Sequence, residues 1–179
     1  MGGFRQKLPF AATVLCLCAF GVATAQPADD DATCDITCDV NNVMEWSGNF
    51  SAINLADITA MSTESTGSAT VTLFTNGNVD ITADNSTTAQ LSEPGGEALV
   101  TEYQISFDGD GSSNTGGAGV GTWTAYNNFL STATTVTYVT GDGNVDVTLE
   151  VRASSDGVEI TKSATYSATQ TLTASWAGT

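Results

Sequence analysis

Apolar and polar residues alternate one by one over most of this chain, and that period of two favours β-strands above all else. Near the C-terminus Ala164, Tyr166, Ala168, Leu172, Ala174 and Trp176 share one face. Ser163, Thr165, Ser167, Thr169, Thr171, Thr173 and Ser175 take the other, with Gln170 the one misfit. Successive strand side chains point to opposite sides, whereas a helix would scatter the apolar set around its circumference. The stretch predicts one long half-buried strand, or two meeting at a bend.

The pattern recurs upstream. Val145, Val147, Leu149 and Val151 alternate with Asp146, Thr148, Glu150 and Arg152; Leu99, Thr101, Tyr103, Ile105 and Phe107 alternate with Val100, Glu102, Gln104 and Ser106. Ala69, Val71 and Leu73 form a third set, and Val79, Ile81 and Ala83 a fourth. Shorter candidates cover Val120 to Tyr126, Thr134 to Thr140 and Val158 to Thr161. Threonine, valine and aromatic residues fill these runs, as a pleated half-buried surface favours.

Turn residues fall between them. Asn76-Gly77-Asn78 and Gly141-Asp142-Gly143-Asn144 read as short hairpins, because Asn-Gly and Asp-Gly tolerate positive φ. Both end in Gly-Asn-Val-Asp, and two hairpins meeting one steric demand explain this more simply than an internal duplication. Further turns are expected at Pro94-Gly95-Gly96 and at Ser154 to Gly157. The expected fold is all-β: one antiparallel two-sheet β-sandwich over residues 33–179, Ig-like or jelly-roll-like, with about nine or ten strands.

The first 25 residues read as a cleaved signal peptide. Arg5 and Lys7 precede the apolar run Leu8 to Val22, and Ala23-Thr24-Ala25 supplies a small-x-small cleavage site before Gln26. The run is too short for a membrane-spanning helix, which needs about 20 residues. The product is expected to be secreted or at the cell surface, without membrane insertion of the mature chain. Residues 26–32, including Pro27 to Asp31, form an acidic tail with nothing to bury and are expected to be flexible.

All 20 acidic residues lie beyond the leader, against only Arg152 and Lys162. Nucleic acid is excluded as a partner, since phosphate binding rests on Lys and Arg displacing counterions. Such a surface suits solubility at high salt, cation binding, or avoidance of non-specific contact.

Beyond the leader only Cys34 and Cys38 remain, in CDITCDV. As a strand this segment would hold them about 13 Å apart, beyond the roughly 7 Å a disulfide spans. Zinc needs four ligands and the chain has no histidine. Redox pairs use C-x-x-C rather than the spacing here. An exported protein oxidises its thiols, which leaves a Cys34–Cys38 bridge across a tight turn, the favoured reading, or disulfides between chains.

Lacking histidine, the chain offers catalysis only paired carboxylates such as Glu102 and Glu150, and nothing singles these out; no enzyme is expected. No cofactor is expected either, with calcium the one candidate. Asp108, Asp110, Ser112 and Asn114 have oxygen side chains at alternate positions, as do Asp142, Asn144 and Asp146. Both stretches lack the Gly and Glu of an EF-hand loop and also read as plain turn formers. Trp123 and Tyr126, just after a Gly-rich loop, are the candidate exposed pair for a glycan.

In layout the segments TCDITC, Val145 to Ala153 and YSATQTLTASW resemble secreted β-sandwich subunits of surface fibres, namely spore-coat-U-like and chaperone–usher pilins and TasA-like biofilm proteins. The resemblance implies a Cys-bearing first strand and assembly by strand addition, in which one chain's extended segment completes another's sheet. It departs from those pilins in having no later cysteine to pair with the first. The expected function is structural: a subunit associating with copies of itself or other surface proteins, through Thr33 to Val40. The competing expectation is a calcium-stabilised carbohydrate-binding or adhesion module.

Overall fold

The computed structural model describes residues 30–108, 115–155 and 161–178. Residues 1–29, 109–114, 156–160 and 179 lie outside this set, and with them the expected signal peptide and most of the Val158 to Thr161 candidate strand. The chain divides into two units, Met1–Cys38 and Asp39–Thr179. In the first, residues 30–38 carry no regular element and are exposed throughout.

The second unit is all-β. Its strands are β1 (Met44–Trp46), β2 (Glu64–Thr75), β3 (Asn78–Ala83), β4 (Val100–Phe107), β5 (Val120–Ala125), β6 (Thr134–Val136), β7 (Asn144–Ser154) and β8 (Leu172–Gly178). They form two antiparallel sheets, ordered β1-β2-β7-β4-β5 and β6-β3-β8. Eight strands are present among the described residues, against the nine or ten expected.

Strand β7 organises the larger sheet. It pairs with β2 from Glu64 opposite Ser154 to Phe74 opposite Asn144, and with β4 from Val100 opposite Ser154 to Phe107 opposite Val147. Its odd-numbered residues Val145, Val147, Leu149, Val151 and Ala153 are buried, as the alternation requires. Its even-numbered residues meet neighbours on the other face. Thr148 shares a hydrogen bond with Thr70, Asp146 accepts from the Thr72 hydroxyl at 2.7 Å, and Glu150 accepts from Gln104.

Buried side chains of both sheets belong to one hydrophobic cluster: Leu73, Tyr103, Ile105 and the β7 row from one, Val79, Ile81 and Val136 from the other. Each such aliphatic residue contributes about 1.5–3 kcal/mol by leaving water. Phe129 and Leu130 join them from the loop after β5, which the alternation did not mark. Phe129 is fully buried with its ring 5.5 Å from that of Tyr103. Asn85, with its amide nitrogen turned to the loop, donates to the carbonyls of Tyr126 and Phe129. The Tyr103 hydroxyl donates to the Ala89 carbonyl at 2.7 Å, and burial pushes its pKa up to about 12.

The Gly141 turn closes with φ +89° and the Asp142 amide on the Val139 carbonyl, yet both expected hairpins carry the chain between sheets. Asn76 and Gly77 link β2 to β3, and Thr137 to Gly143 link β6 to β7. Gly77 does not have positive φ; the Thr75 hydroxyl ties its amide and carbonyl, and the Asn76 side chain bonds Asn41 and Val43. Its lack of a side chain answers a packing need, since a Cβ there would stand 2.2 Å from the Trp176 ring. The two crossovers lie side by side, with the Thr75 amide donating to the Gly143 carbonyl at 2.6 Å and the Tyr138 amide to the Asn78 side chain. The Pro94 turn forms as expected, with Gly96 at φ +98°.

The C-terminal stretch is a strand only from Leu172 onward. There Leu172, Ala174 and Trp176 are half-buried on one face, opposite Ala83, Ile81 and Val79 of β3. Upstream of Thr171 the chain has lost β3 as a partner, because β3 gives way after Ala83 to a 3₁₀ turn at Thr87–Ala89. It is held by the Thr169 amide donating to the Thr88 carbonyl and by a reciprocal pair of backbone bonds between Ser167 and Ser92. Gln170, the misfit in the sequence alternation, is half-buried in phase with Leu172, and the period is lost at Ala168, which is exposed.

Candidate functional site

Thr33 to Val40 is the sequence-derived assembly segment, and none of it lies in a sheet. The first strand is Met44–Trp46, not the Cys-bearing stretch. Ile36 is 89% exposed and Val40 79%, the two most exposed large apolar side chains among the described residues. Cys34 and Cys38 are also exposed, and the expected bridge between them is not formed. Residues 34–38 carry no regular element, and no turn is formed between the two cysteines.

The glycan pair does not form a shared platform. Trp123 lies under the Arg152 guanidinium, 5.0 Å from ring centre to Cζ, and Arg152 projects from the face of β7 opposite its buried valines. Arg152 also pairs there with Glu102 and, at 3.6 Å, with Glu64. Tyr126 packs instead against the hydrophobic cluster, on the sheet's other side. Glu102 and Glu150, the carboxylates considered for catalysis, are thus held by Arg152 and Gln104 respectively.

Asp108, the one described residue of the first oxygen-rich stretch, meets the second at one end of the larger sheet. Asp108 follows β4 and donates its amide to the Asp146 carbonyl at 2.9 Å, while Asp142 accepts the Thr115 amide at 2.8 Å through Oδ2. Asp110, Ser112 and Asn114 lie outside the described residues. Asn144 is exposed at the start of β7, and the Asp146 carboxylate is turned to Thr72. Among the described residues no three acidic or cysteine side chains converge as a metal centre would require.

Elsewhere, Glu93 is the one buried carboxylate among the described residues. Hydrogen bonding, chiefly from the Gly95 amide and then that of Glu97, with Lys162 beside it, holds its pKa below the usual value. Among the described residues no helix is long and apolar enough to cross a membrane.

The sheet edges differ in a way the sequence did not signal. β5 pairs with β4 through a register shift between Tyr103 and Ile105, β8 pairs with β3 through one at Asn78 and Val79, and β6 is three residues long. β2 pairs with β7 without interruption, yet β1 covers only Leu73 to Thr75 of its other side. The chain turns away after Ser47, whose amide donates to the Thr72 carbonyl. From Glu64 to Val71 that side of β2 makes no backbone pairing among the described residues. Comparison of the chain with protein-family models, with characterised proteins and with solved structures finds no match.

Proposed function

We propose that this is an exported, non-enzymatic structural subunit of an extracellular or cell-surface assembly, and that copies join by β-strand addition through Thr33 to Val40. The observation that carries this reading is the state of that segment: alternately apolar, outside every sheet, with Ile36 and Val40 turned to solvent. Exposed apolar side chains at strand spacing suit a sheet on another molecule. In the same reading residues 1–25 direct export, and the two sheets are the layers of one β-sandwich, as their shared buried cluster supports. The layout shared with pilin-like and TasA-like subunits points the same way. Light scattering on the full mature chain tests it: Ile36→Asp with Val40→Asp should hold the protein monomeric where the parent forms higher-mass species. Equal mass distributions would overturn it.

A second reading, a calcium-stabilised adhesion module, is favoured by one observation, the approach of Asp108 to the Asp142–Asp146 stretch at a single sheet end. It expects a melting temperature raised by calcium and lowered by a chelator; a melting temperature indifferent to both removes it.

A further inference from the structure

We infer that the acceptor for Thr33 to Val40 is the open edge of β2, Glu64 to Val71, in a second copy of the chain, a deduction that rests on the strand-addition reading above. Unpaired edges are normally blunted by Lys, Pro, a bulge or brevity. The other edge strands here carry a register shift or are short, while ESTGSATV has neither Lys nor Pro and only Glu64, at its end, is charged.

The strand's geometry fixes what this edge can receive. The Thr72 backbone faces β1, so by the alternation of an antiparallel strand Thr66, Ser68 and Thr70 present their N–H and C=O groups to the same open side. Ser65, Ala69 and Val71 point inward and are buried, and Gly67 shares their face, whereas Thr66, Ser68 and Thr70 are exposed. An entering strand must therefore place its apolar row level with the odd-numbered residues. Antiparallel, as every strand pair among the described residues is, that puts Cys34 opposite Val71, Ile36 opposite Ala69, Cys38 opposite Gly67 and Val40 opposite Ser65. Asp35, Thr37 and Asp39 then stay in water beside Thr70, Ser68 and Thr66. Seven residues, Cys34 to Val40, meet seven, Ser65 to Val71, and the row stops at Thr72, whose backbone Ser47 already holds.

The inner side has room at the Val40 end of that row. A groove of about 750 Å³ borders Ser65 and is lined by Ile53, Leu55, Ile58, Leu99 and Ala153. Ile53 and Leu55 reach across to Gly67, where a Cβ would stand 2.6 Å from the Ile53 side chain. A molecule cannot fill its own edge by extending β1. β1 runs antiparallel with Met44 opposite Thr75, and Val43 and Asn41 bond Asn76, so the chain before Met44 leaves at the end of β2 remote from Glu64. The occupant is a second copy.

Two variants of the full mature chain test this register. In a Cys38→Ser background, Val71→Cys should give a non-reducing ladder of chains joined through Cys34, because residues facing each other without hydrogen bonds lie about 4.5 Å apart at Cα, within disulfide reach. Thr70→Cys, on the opposite face, should give at least tenfold less. Ser68→Pro removes an outward N–H without touching the β7 pairing and should abolish assembly of a monomer with near-parent melting temperature. Should that variant fail to fold, the cysteine pair still decides. Assembly in which the ladder is missing or equal for both cysteines overturns the β2 acceptor and leaves strand addition standing. A parent chain that never assembles overturns both.

Discussion

Trp176 and Gly77 show how a single residue serves packing where its local sequence suggests a turn. The indole of β8 occupies the space where a side chain at position 77 would begin, 2.2 Å from where the Cβ of any other residue would stand. Gly77→Ala is therefore expected to destabilise the fold by about 1–3 kcal/mol in urea unfolding, and Trp176→Leu to recover part of that loss in the double variant. A turn-propensity reading predicts a far smaller effect. Tyr103 carries a second residue-scale expectation. Its hydroxyl is buried against the Ala89 carbonyl with a pKa raised to about 12, above the ordinary value of 10.0. The folded state thus holds the proton more tightly than the unfolded chain. The resulting stability is complete below pH about 10 and falls as pH rises toward 12. Tyr103→Phe should flatten that alkaline loss in thermal melts.

Among the elements, β7 is paired on both sides and buries five successive inward residues, so its amides should be the last to exchange in hydrogen-exchange measurements. Earlier exchange there than in β5 or β8 would contradict the topology. Ile105→Ala in the neighbouring β4 should cost about 2–5 kcal/mol, since the side chain is fully buried. Strands β2, β3, β4 and β7 were legible from alternation because each has one face in the core and the other in water. Their grouping into sheets was not legible. Asn-Gly and Asp-Gly report what the backbone tolerates, and whether a turn closes a hairpin or carries the chain to another sheet depends on distant partners such as Asn41, Val43 and Trp176. Phe129 escaped for a related reason, since a loop residue buried by its neighbours has no period. The proposed assembly segment was visible as an alternation, but its candidate acceptor was not, because an open edge is an absence of pairing that no sequence window contains.

At the scale of the whole molecule, 20 acidic residues against 4 basic ones, two of those among residues 1–25, mean that copies repel one another. Asp35 and Asp39 bring that repulsion to the proposed joining segment itself. Screening shortens from about 30 Å at 0.01 M salt to about 3 Å at 1 M, so assembly should accelerate with ionic strength, the reverse of association between opposite charges. Turbidity or light scattering across that range measures it. The proposed assembly depends on Thr33 to Val40 joining copies of this chain. Negative-stain electron microscopy of the mature protein, with and without residues 33–40, tests it most directly. Extended filaments from the full chain and isolated particles from the shortened one are the predicted result; isolated particles from both, or filaments from both, would contradict it.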